Sequence, residues 1–134
     1  MALAAVVGAA LLTAACADPT PPPAPSPVAP TLTDTFTGTL AVAGTNAHLF
    51  AVQQVGGVEV SLTSVDPGAA VEVGVGVPSG VTGTCSALSS KIVVVDSAPQ
   101  LIGTATVVGS FCVSVTDVGN LVAPITYTIV VYHS

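Results

Sequence analysis

The sequence predicts an all-β protein, an antiparallel β-sandwich of seven or eight strands over residues 32–134. Three observations predict it. Short runs rich in Val and Thr place apolar side chains at every second position, the period of a half-buried strand. Clusters of Gly, Pro, Asp and Asn interrupt those runs at short intervals. No amphipathic helical pattern occurs after residue 16.

The elements follow in order. Thr35 to Leu40 alternates, with Phe36, Gly38 and Leu40 on one face and threonines on the other. Gly44, Thr45 and Asn46 are read as a turn, and His48 to Gln53 as the next strand. After Gly56-Gly57, Val58, Val60 and Leu62 alternate with Glu59, Ser61 and Thr63. Asp66-Pro67-Gly68 is a turn, because each residue favours a different turn position. Val71 to Val77 alternates with Glu72, Gly74 and Gly76, and glycines inside a strand point to a bulge or to close approach of another strand. From Cys85 the pattern is weak. Ile92 to Val95 reads as a short strand, Leu101 to Val108 as another, and Phe111 to Thr116 alternates clearly. Asp117 to Asn120 is a turn, and Ile125 to Tyr132 is the last strand.

With 134 residues the chain has room for one sizeable core. Hydrophobic residues make up 51% and charged residues 6%. A membrane-spanning helix needs about 18 consecutive apolar residues, and no such run follows Cys16. The formal net charge is −6, and Lys91 is the only Lys or Arg. Nucleic-acid binding neutralises several phosphates with cations, so it is excluded. Binding to anionic lipid through a basic patch is excluded for the same reason. Ser and Thr hydroxyls must hydrate much of the surface.

Residues 1–15 are uncharged and apolar up to Thr13, Ala14 and Ala15, with the length of a signal-peptide core. Small residues directly before Cys16, with Leu12 nearby, resemble the lipobox of bacterial lipoproteins. That resemblance implies a diacylglyceryl group on the Cys16 thiol, cleavage just before it, and a lipid anchor in a membrane on the extracytoplasmic side. Two features depart from the pattern: Thr13 stands where Leu is usual, and no Lys or Arg precedes the apolar run. An upstream start accounts for the second. An ordinary secretory signal cut near Ala15 or Ala17 is the alternative.

Residues 16–31 form a tether. Seven of the thirteen residues from 18 to 30 are proline, which fixes φ and removes the N–H donor. An extended polyproline II spacer of about 40 Å is expected, at about 3.1 Å per residue. If Cys16 is acylated, Cys85 and Cys112 remain as a pair. In an exported protein an even remainder suggests a disulfide, worth about 3.5 kcal/mol for a loop of about 28 residues. Two buried free thiols are the alternative.

The run Phe36-x-Gly38-x-Leu40, His48-x-Phe50-x-Val52 and Val58 to Leu62 resembles the start of bacterial pre-peptidase C-terminal domains. Gly109 to Val115 with Asp117, then Tyr127 to Val131, resembles the end. The resemblance spans residues 34 to 132. It implies a jelly-roll-like sandwich without catalytic residues of its own, accompanying a secreted peptidase or serving as an accessory binding module.

Candidate chemistry is sparse. His48 and His133 form no metal-ligand spacing, and a structural zinc site needs four ligands. A His48–Cys85 nucleophilic pair would require a free Cys85 thiol. Asp117 and Asn120 could offer oxygens to calcium, but a turn explains them more simply. Glu59 and Glu72 could face each other across strands as a carboxylate pair, but nothing in the sequence fixes that distance, and solvent-facing positions explain them more simply. With no Trp and five Phe and Tyr residues, a sugar-stacking platform is weakly supported. The expectation is an exported, lipid-anchored, non-enzymatic surface module that binds a partner or serves structurally, without cofactor or metal. The alternative is an accessory domain for a separate secreted peptidase or other hydrolase. The sequence leaves open whether a partner is protein or glycan.

Overall fold

The computed structural model describes residues 19–24, 26, 28–80 and 83–134. Cys16, the apolar leader 1–15 and the first residues of the tether lie outside the described residues. The strands are β1 (Leu32–Leu40), β2 (Thr45–Val52), β3 (Gly56–Asp66), β4 (Val71–Pro78), β5 (Cys85–Val93), β6 (Leu101–Ala105), β7 (Gly109–Thr116) and β8 (Ile125–His133).

They form two four-stranded sheets, β1-β8-β3-β6 and β2-β7-β4-β5, with every pairing antiparallel. Eight strands in this order make a jelly roll. Each successive connection from β1 to β4 and from β5 to β8 crosses between the sheets or turns at an edge, so β1 stands over β2 and β6 over β5. The sheets meet through the alternating positions read from the sequence. Val58, Val60 and Leu62 of β3, Val71 and Val73 of β4, Val113 and Val115 of β7, and Tyr127, Ile129 and Val131 of β8 are all buried in one core.

Three boundaries differ from the sequence expectation. The first turn is Ala41–Gly44, with Ala43 at a φ of 57° and Gly44 N–H donating to Ala41 O at 2.9 Å; Thr45 and Asn46 already belong to β2. Long-range pairing with Thr116 and Val115 recruits them into the strand. The weakly patterned stretch from Cys85 is a strand, β5, which ends at Val93, so Val94 and Val95 lie beyond it. Its residues 86–92 are all exposed, and a strand without a buried face shows no hydrophobic alternation. Likewise β6 ends at Ala105, and residues 106–108 form the turn into β7.

The tether is not a spacer along its whole length. Residues 19–24 are exposed and unpaired, but Val28 pairs in parallel with Gly56. Val28 O accepts from Gly57 N–H at 2.9 Å, and Thr31 N–H donates to His133 O at 2.9 Å. Two glycines make room: a β-carbon on Gly56 would strike Val28 O, and one on Gly57 would lie 3.1 Å from Pro30 Cδ.

Candidate functional site

The side of the sandwich formed by β5 and β6 is open, and a disulfide ties the start of β5 to β7. Cys85 and Cys112 are bonded, with Cα atoms 5.8 Å apart. They belong to β5 and β7, which flank β4, and strands two places apart in a flat sheet are about 9.5 Å apart. The start of β5 therefore leaves the sheet plane and folds across the outer face of β4. The sheet's glycine face permits this. A β-carbon on Gly76 would clash with the Ser86 backbone, and one on Gly74 would lie 3.1 Å from Ala87 Cβ. A register shift between Val75 and Gly76 marks the bend. Both expectations for the interior glycines, a bulge and a close strand, are met at once.

A cleft of about 130 Å³ lies between the sheets at this side, lined chiefly by Val58, Val75, Leu88, Leu101, Ala105 and Phe111. Leu88 on β5 and Ile102 on β6 are 73% and 71% exposed at its rim. Ile92, the register partner of Glu72, and Val94 are exposed as well. Among the described residues β6 is an edge strand paired with β3, and it carries no charge or proline, the usual means of blunting an edge strand.

The opposite side is closed by a polar cluster. Tyr127 Oη lies 2.7 Å from His48 Nε2 and accepts from Asn46 Nδ2 at 3.1 Å. Asn46 Nδ2 also donates to Thr39 O at 2.8 Å. The His48 ring stacks on Phe36 with centroids 4.8 Å apart. Burial pushes the His48 imidazole below its ordinary value. Burial also raises the Tyr127 phenol, partly offset by the Asn46 bond. The imidazole and the phenol share one hydrogen bond whose donor depends on the imidazole tautomer. The cluster holds β1, β2 and β8 together, and sequence reasoning missed Asn46 and Tyr127. Gly38, the register partner of Tyr127, was the available signal, since a glycine within a strand marks a close approach.

The remaining candidates separate. Cys85 is consumed by the disulfide, so no His48–Cys85 pair exists. Glu59 and Glu72 stand on β3 and β4 in different sheets, each beside buried inward-facing neighbours, and so point from opposite outer faces. Asp117 organises loops: its Oδ2 accepts from Ala43 N–H at 2.7 Å and its Oδ1 from Gly119 N–H at 2.8 Å. Those bonds, Ala43's first, hold the Asp117 carboxyl below the usual carboxylate range. Asn120 Nδ2 donates to Ala70 O at 3.1 Å. His133 is buried beside Phe50, its Nε2 2.9 Å from Asp34 Oδ2. Among the described residues, no three His, Cys, Asp or Glu side chains gather as a metal site.

The fold and this edge define a jelly-roll β-sandwich with one open, apolar side. No protein-family model and no curated protein matches the sequence. Among solved structures the chain is similar to PliG of Aeromonas hydrophila, a periplasmic lysozyme inhibitor of g-type lysozyme. The TM-score is 0.56 at 13% identity, over 78% of this chain and 86% of that one. At that identity the likeness concerns the fold.

Proposed function

We propose that this chain is an exported, lipid-anchored, non-enzymatic module that binds a protein partner along its β5–β6 side. The open β6 edge above an apolar cleft carries the reading. An extended segment of a partner can add to an unpaired strand through main-chain hydrogen bonds, and side-chain pockets then give selectivity. The exposed apolar residues Leu88 and Ile102 at the cleft suit such a contact. Cys16 supplies the anchor. The likeness to a lysozyme inhibitor supports a protein, rather than a glycan, as partner.

A photo-crosslinking side chain at position 102 of the full chain, in intact cells, tests this. A discrete protein adduct from position 102, absent when the probe is at Thr37 on the closed side, is expected. Equal adducts from both positions would overturn the edge assignment. Purified Cys16→Ser protein should also be added to a g-type lysozyme lytic assay. Inhibition lost on Ile102→Asp would identify the partner, and unimpaired lysis at protein excess would remove lysozyme from consideration. Metabolic labelling with a fatty-acid probe should mark the chain and be abolished by Cys16→Ser.

The second reading is an accessory domain for a separate secreted peptidase or other hydrolase. The jelly-roll order favours it, since the resemblance to pre-peptidase C-terminal domains implies that fold. A hydrolase as the position-102 adduct would support it.

A further inference from the structure

Glu59 stands half-buried in a groove on the outer face of the β1-β8-β3-β6 sheet. Its register partners on the two flanking strands are Tyr132 of β8 and Ile102 of β6. Side chains directly opposite one another in a sheet lie about 5 Å apart, so the Tyr132 side chain stands beside the carboxyl. Ser61 follows on the same face of β3. Two segments outside the sheet raise walls around these three side chains. The docked tether supplies Pro30, packed over Gly57. The β5–β6 connection runs along β3, with Asp96 N–H donating to Leu62 O and Gln100 N–H to Val60 O. It supplies Ser97 and Pro99. The groove so enclosed measures about 220 Å³.

Among the described residues, no hydrogen bond or ion pair reaches the Glu59 carboxylate, the Ser61 hydroxyl or the Tyr132 hydroxyl. Ser61 is only 2% exposed. A half-buried carboxylate has lost part of its hydration, and a cation compensates that loss best. The chain offers none at this place. Lys91, the only Lys or Arg, stands on β5 in the other sheet. His48 and His133 are engaged with Tyr127 and Asp34. The compensating charge has to come from another molecule.

We propose that this groove receives an arginine side chain of a partner protein, its guanidinium paired with the Glu59 carboxylate and set against the Tyr132 ring. The planar guanidinium matches a carboxylate with two parallel N–H···O bonds and stacks on aromatic faces. The Ser61 hydroxyl accepts a further N–H. The rings of Pro30 and Pro99 give the methylene stem apolar surface to cover. Size selects a side chain over a free ligand, since pockets that enclose a whole small molecule measure about 300 to 1,000 Å³. The net charge of −6 favours the approach of a basic partner. Ile102 lies directly across from Glu59, so a partner seated here also reaches the β6 edge. The guanidinium site itself does not depend on that edge being occupied.

The probe is N-acetyl-arginine amide, compared with its neutral isostere N-acetyl-citrulline amide and with chitotriose. Each is titrated into the purified full chain carrying Cys16→Ser, and backbone amide resonances are followed by NMR. The arginine amide should shift Glu59, Ser61 and Tyr132 saturably at millimolar concentration. The citrulline amide should bind at least about tenfold more weakly, because its bonds to the carboxylate carry no positive charge. Glu59→Gln should weaken the arginine amide by the same factor. Tyr132→Leu, which keeps the carboxylate, should weaken it about threefold. Glu72→Gln, on the outer face of the other sheet, should leave binding unchanged. Equal binding of the arginine and citrulline amides would overturn the proposal. So would undiminished binding to Glu59→Gln protein, or no saturable shift at these residues. Shifts from chitotriose alone would assign the groove to a glycan and overturn it as well. The titration does not involve the β6 edge, so its outcome is separate from that of the position-102 adduct.

Discussion

The Tyr127 hydroxyl occupies the space that a side chain at Gly38 would fill. The two are partners across β1 and β8, and a β-carbon at position 38 would lie 2.6 Å from Tyr127 Oη. That vacancy lets the phenol reach His48 and Asn46, so one absent side chain organises the whole closed side.

Gly38→Val should therefore displace the phenol and break the cluster, costing about 2 to 4 kcal/mol by overpacking and lost hydrogen bonds. Tyr127→Phe keeps the ring and should cost about 1 to 2 kcal/mol. Urea denaturation of residues 28–134 checks both. A Gly38→Val protein as stable as the parent would disprove the assignment.

Stability should fall on acidification in two stages. Burial lowers the folded-state value of His48, so the unfolded chain takes up its proton first. The corresponding stability is present above about pH 6.5 and is lost as the pH falls through the lower folded value. Asp117 is held below its ordinary value by Ala43 N–H and its neighbours. Its contribution is present above about pH 4 and is lost below that. Urea midpoints measured from pH 8 to pH 3 should show both stages. His48→Gln should flatten the first and Asp117→Asn the second.

Removing the bridge with Cys85→Ser and Cys112→Ser should cost about 2 to 5 kcal/mol and lower Tm by about 10 °C or more. The loss should concentrate at the start of β5, which the bond holds across β4. Hydrogen exchange should therefore rise most over residues 85–89. A count of two free thiols in the denatured, oxidised parent would refute the bridge.

Gly76→Ala should be far more harmful than Gly103→Ala. At position 76 a β-carbon meets the Ser86 backbone, which cannot move while the disulfide holds. At position 103 it meets nothing within 4 Å, and a change within about 0.5 kcal/mol is expected. Thermal melts of the two variants provide the comparison.

Strand positions were legible where one face is buried. The alternation Val58, Val60, Leu62 and the pair Val113, Val115 name core residues correctly, and Phe111 packs against that core. The reading faded at β5, whose exposed residues 86–92 carry no such pattern. Of the candidate chemistry, the sequence correctly marked Asp117 as a turn residue. It read Glu59 and Glu72 as solvent-facing rather than paired, and the structure places them on the outer faces of different sheets.

By itself the sequence determined the all-β class and the turns at Asp66-Pro67-Gly68 and Asp117 to Asn120. Each follows from local alternation or turn chemistry. Tertiary structure decided everything that depends on distant partners. His48 meets Tyr127 across 79 positions of chain, and the tether's last residues find Gly56, Gly57 and His133. A covalent bond between β5 and β7 holds one strand close over two glycines, Gly74 and Gly76. Local periodicity records which way a side chain faces, but not which strand lies beside it.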